Sequence, residues 1–178
     1  MMVVLLFWLL GIAIIVVQTT LLQFLPSWVG RPDFLFILVA FLAYRFAWIP
    51  GIIVVFSLGW VMDVVTGIHL GFYPLICLIT FTALKVITTK SPVKAATYEI
   101  PLIGLSYFLM EMLLYFVYSL AWPEILPEWS WGITLQRTAL IMASAIPLFI
   151  LYNSFFEYLK RRQLRAKPLR RRPRKSIR

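Results

Sequence analysis

Residues 3–22 read VVLLFWLLGIAIIVVQTTLL, twenty positions without a charge, and the first charged side chain in the whole chain is Arg31. A helix of about 20 apolar residues matches the roughly 30 Å hydrocarbon core of a bilayer, so this run is expected to be a first membrane span. It lacks a basic leading segment and a small-residue cleavage site, and it is longer than a secretory signal core. It is therefore expected to stay on the protein. Composition extends the argument to the rest of the chain. Of 178 residues, 62% are apolar and 13% charged, against about 45–50% and about 25% in soluble domains. A soluble body of this size has no interior large enough for that much apolar surface.

Further uncharged runs give five more spans, at 34–48, 50–65, 72–88, 102–121 and 133–158. Pro26 and Pro32 break the chain after the first. Pro50-Gly51 is expected to turn the second into the third, Gly67 and Gly71 to permit a tight reversal into the fourth, and Pro147 to interrupt the sixth. The fold class is thus an all-α integral membrane protein with six spans in residues 1–159. The second and third spans are short, about 15–16 residues or ~23 Å of helix, and read either as a close hairpin in thinned bilayer or as flags of a transporter site.

The net charge of +10 does not describe this body. Eleven of the 17 Lys and Arg lie in residues 160–178, and the preceding 159 residues carry six basic and seven acidic side chains. A basic tail, expected to be disordered, follows a nearly neutral apolar domain. Its juxtamembrane position favours anionic lipid headgroups over a cytoplasmic protein partner or nucleic acid. Even-numbered spans put both termini on one side. Placing them in the cytoplasm gathers Arg45, Lys85, Lys90, Lys94 and the tail there and leaves only Arg31 and Arg137 outside, as the excess of basic residues in cytoplasmic loops requires. On that orientation, the segment with Trp122, Trp129 and Trp131 lies at the outer interface, where indoles prefer to sit.

Charges within a bilayer are functional candidates because they are costly. Glu111 lies near the middle of the fifth span with Tyr107 and Tyr115 one turn to either side on the same face. This is either an intramembrane polar site or one hydrogen-bonded acid fixing helix packing. Arg137, near the outer end of the sixth span, is expected to be too far away to pair with it. A second group, Arg31, Asp33, Asp63 and His69, falls at the outer ends of spans two to four. Asp33 follows Pro32 at a helix start, which suits an anion. Asp63 closes a helix, where an anion needs compensation, and Arg31 is the expected source. Cys77 is the only cysteine, so no intramolecular disulfide or multi-cysteine metal site forms, and a lone His beside one carboxylate does not make a metal site. No nucleophile elbow, zinc-protease helix or phosphate loop occurs. Neither enzyme chemistry nor a cofactor is expected.

The stretch Arg31-Pro32-Asp33-Phe34-Leu35-Phe36-Ile37-Leu38-Val39, followed by Gly51, Gly59, Asp63, Gly67, Leu70 and Gly71, resembles the rod shape-determining protein MreD family. The likeness is strongest over residues 31–84. It implies a non-enzymatic subunit of the machinery that elongates rod-shaped bacteria, in the inner membrane, with both termini cytoplasmic. Implied partners are a single-span MreC-like protein, the filament protein MreB, and RodA with its penicillin-binding transpeptidase. On the same resemblance, Arg31, Pro32, Asp33, Asp63, Gly67 and Gly71 are structural or partner-contact residues. The family is distantly similar to the substrate-binding S components of vitamin transporters, which implies the alternative of a small-molecule binding subunit using the surroundings of Glu111. The basic tail is longer than the family requires.

Overall fold

The computed structural model describes residues 2–21, 24, 32–67, 71–90, 96–121 and 129–166. It contains six helices: α1 (Met2–Leu21), α2 (Phe34–Arg45), α3 (Trp48–Thr66), α4 (Phe72–Lys90), α5 (Ala96–Ala121) and α6 (Trp131–Ala166). Five are long and apolar enough to cross a membrane, and α2 is a shorter apolar helix. The protein is an all-α, multi-pass membrane protein. Arg31, His69, residues 122–128 with Trp122, and the tail beyond Ala166 lie outside the described residues.

Several boundaries differ from the sequence expectation. The second helix ends at Arg45 rather than residue 48, and the turn falls at Phe46 and Ala47, ahead of Pro50-Gly51. Pro50 is the third residue of α3, in the first turn, where a missing N–H removes no intrahelical bond. The fifth helix starts at Ala96, six residues early, with Pro101 inside it. Pro147 does not interrupt α6, which continues for 36 residues to Ala166. Such prolines are tolerated in membrane helices because neighbouring groups re-satisfy the backbone. The first part of the basic segment, to Ala166, is accordingly helical.

At 12 residues, α2 is about 18 Å long, well short of a bilayer core. Its sequence, FLFILVAFLAYR, is apolar all round, the pattern of a helix surrounded by protein. Every residue from Leu35 to Ala43 is buried, and α2 packs on all five other helices. It is the axis of the bundle. Phe7 of α1 stacks on Phe41 of α2 at 5.6 Å between ring centroids and touches Phe155 and Phe156 of α6.

Close approach between helices is set at small residues. A Cβ on Gly59 of α3 would lie 2.6 Å from the Cα of Pro74 in α4, so the two backbones meet where only glycine fits. Gly104 of α5 is similarly covered by Met142 of α6. Across α1 and α3, the Trp8 indole N–H donates to Ser57 Oγ at 2.8 Å.

Candidate functional site

The end of the bundle where α1 and α3 stop and α2 and α4 begin holds a cluster of four polar side chains. Asp33 is the N-cap of α2, and its Oδ1 accepts the Phe36 N–H at 3.2 Å. Such a cap satisfies one of the amides a helix start leaves open. Gln18, in the last turn of α1, completes it. Its Nε2 donates to Asp33 Oδ1 at 3.2 Å while its Oε1 accepts the Leu35 N–H at 3.3 Å. The remaining oxygen, Asp33 Oδ2, accepts the Tyr73 hydroxyl from α4.

Asp63 resolves differently from the sequence expectation. It is 3% exposed and sits in the last turn of α3, yet its carboxylate serves the start of the next helix. Oδ2 accepts the Gly71 N–H, and Oδ1 accepts the Tyr73 N–H at 3.2 Å. Its own carbonyl accepts the Gly67 N–H at 2.8 Å. Gly67 (φ 63°) and Gly71 (φ 98°) both occupy the left-handed region, which side chains with a Cβ rarely adopt. Thus the positive end of the α4 dipole compensates Asp63. The expected partner Arg31 lies outside the described residues, so its contribution remains an expectation.

Tyr73 is the hinge of this arrangement: its amide binds Asp63 and its hydroxyl binds Asp33. Four helices are thereby tied through three side-chain amide, carboxylate and phenol groups plus Asp63. Neither Gln18 nor Tyr73 was legible as a partner from spacing. Their signal was the occurrence of a polar residue in the terminal turn of an apolar helix.

The opposite end of α2 is held by Lys85 of α4, whose side chain is buried. Its ammonium donates to the carbonyls of Ala43 at 3.0 Å and Phe46 at 2.5 Å. These carbonyls terminate α2, where a cation is favoured by the dipole. Lys85 is one of the charges expected on the cytoplasmic side, and linear spacing carries no signal of this contact across α2 and α4. Arg45 is exposed at the same end.

Glu111 forms a separate group between α5 and α6. Its Oε1 accepts the Tyr107 hydroxyl at 2.9 Å and the Arg137 Nη1–H at 3.3 Å. The expectation that Arg137 is too distant is overturned. The along-axis offset of about four residues, ~6 Å, is within reach of two long side chains. Tyr115 does not join the carboxylate among the described contacts and instead packs edge-on against the Trp129 ring at 4.7 Å. Tyr107 meets Phe36 of α2 at 5.1 Å, which connects this group to the Asp33-capped turn.

Among the described residues, no three His, Cys, Asp or Glu side chains come together as a metal site. The carboxylates of Asp33 and Asp63 are taken up by amides, a phenol and an amide side chain, and what they accomplish is fixing the relative positions of α1 to α4. Comparisons with models of protein families, with curated proteins and with solved structures find no match to this chain.

Proposed function

We propose that this chain is a non-enzymatic scaffold of the bacterial cell-elongation machinery, of the MreD type. One observation carries the reading. Pro32, Asp33, Asp63, Gly67 and Gly71, five of the positions that bear the resemblance, fall at one end of the bundle, where Asp33 and Asp63 are joined through Tyr73. A scaffold works by presenting a fixed surface, and this cluster immobilises four helix ends at once. The protein would sit in the inner membrane with both termini cytoplasmic, because that places Arg45, Lys85 and the basic tail on the cytoplasmic side. The Asp33 end then faces the periplasm. The tail contacts anionic headgroups of the inner leaflet.

The outward faces of the bundle supply the docking surface for a single-span MreC-like protein. Ala139 and Ala143, four apart on α6, are both exposed, and small residues permit close helix approach in lipid. MreB, RodA and its transpeptidase complete the assembly. The competing reading as a small-molecule binding subunit rests on the surroundings of Glu111, whose carboxylate is engaged by Tyr107 and Arg137.

Depletion of the protein in its host is expected to round the cells, and the tagged protein should co-purify with a single-span partner in mild detergent. Depletion that spares rod shape and abolishes uptake of one nutrient would replace this reading with the transporter subunit. Reporters fused after Ala95 and after Pro127 test orientation; an extracytoplasmic signal at Ala95 would reverse it.

A further inference from the structure

Arg137 is the sixth residue after Trp131, about 9 Å along α6 from the start of the helix, and its side chain is 48% exposed. A guanidinium carries five N–H donors. Among the described residues this one makes a single hydrogen bond, to Glu111 Oε1 at 3.3 Å, and that oxygen also accepts the Tyr107 hydroxyl. The Glu111 side chain is only 14% exposed, so the carboxylate is covered while the cation lies open to the membrane.

The rings around this corner define its depth. Trp129 and Trp131 lie 5.5 Å apart, Trp129 packs on Tyr115, and Trp131 stacks on Phe108 at 6.5 Å. Paired indoles at a helix start mark the headgroup level, and an arginine one to two turns below them extends its head toward that level. The Trp129 Nε1–H is buried and has no acceptor among the described residues. The exposed Arg137 guanidinium therefore presents unused donors between α5 and α6 near the boundary of hydrocarbon and headgroups, where the abundant acceptors are lipid phosphates. Arginine presents its donors in a fork that matches a phosphate.

We propose that the corner between α5 and α6 binds the phosphate of an anionic phospholipid, with the Arg137 guanidinium as its principal donor and the Glu111 carboxylate competing with the phosphate for it. The site is separate from the basic tail, which lies at the other end of α6, and it does not depend on the scaffold reading above.

Native mass spectrometry of the full chain, released from mixed micelles of phosphatidylglycerol and phosphatidylcholine, tests it. The wild type should retain phosphatidylglycerol in preference. R137Q should lose about tenfold in that retention, the size of one charge-assisted hydrogen bond. E111Q should raise retention, because the guanidinium is freed from its carboxylate. R137K, which keeps the cation and loses the fork, should fall between R137Q and wild type with its melting temperature unchanged. R161Q/R162Q, at the far end of α6, should leave the Arg137-dependent component intact. Retention in R137Q or R137K equal to wild type would overturn the proposal, as would loss of lipid in E111Q. Displacement of the lipid by millimolar inorganic phosphate would also overturn it, since the site would then read a free anion and not a headgroup.

Discussion

Asp33 and Lys85 grip opposite ends of one helix: the carboxylate accepts an amide in the first turn of α2, and the ammonium donates to two carbonyls in its last. The charges match the helix dipole at both ends. This is what lets a 12-residue helix lie inside a membrane domain, where water is scarce at either terminus and each open backbone group would cost several kcal/mol.

Replacing Lys85 by Met should therefore destabilise the bundle. The carbonyls of Ala43 and Phe46 would lose a charged donor while staying buried, at a cost of about 1–3 kcal/mol. Thermal unfolding of the purified protein in a fixed detergent should show a clear fall in midpoint, while R45Q, a substitution of an exposed cation in the same region, should leave it near wild type.

Asp63→Ala removes acceptors from both Gly71 and Tyr73 and should cost about 1–2 kcal/mol, the range for lost helix caps. Tyr73→Phe removes only the hydroxyl contact to Asp33 and should cost less, about 1 kcal/mol. Because Tyr73 joins the two acids, the Asp63→Ala and Tyr73→Phe effects should not add. Strict additivity in the double variant would show that the two contacts act independently.

Gly59→Ala places a methyl against the Pro74 backbone and should force α3 from α4, with a penalty of about 1–3 kcal/mol for overpacking. Gly132→Ala, where an added Cβ meets nothing within 4 Å, is the matched control and should be silent.

Cys77 is buried among core residues and supplies the readout for all these variants. A thiol-reactive fluorophore should label it slowly in the folded protein and rapidly on heating, with the midpoint ordered as the substitutions predict. Fast labelling of the native wild type at room temperature would contradict the packing around α4.

The spans were legible because long uncharged runs leave few alternatives to a membrane helix, and Asp33 was legible as an anion at a helix start because Pro-Asp precedes an apolar helix. Partnerships were not. Linear spacing measures depth along one helix, whereas the partners of Asp33, Asp63 and Lys85 depend on which helices are neighbours. Gln18 and Tyr73 meet Asp33 from α1 and α4, and no periodicity in either helix points there. Arg137 was judged by axial offset alone, which ignores the reach of two long side chains. The α2–α3 boundary was misplaced because proline was read as a breaker when it occupied a helix's first turn.

The central place of α2 also has a consequence for biogenesis. The segment Phe34–Arg45 leaves the ribosome before α3 to α6, which must enclose it, and the lysine that closes its far end belongs to α4. The segment emerges too short to settle in lipid by itself and must wait for its walls. Consolidation of the domain is thus a late, largely post-insertional event, and truncated chains that end before α6 should be recognised by membrane proteases as unfinished.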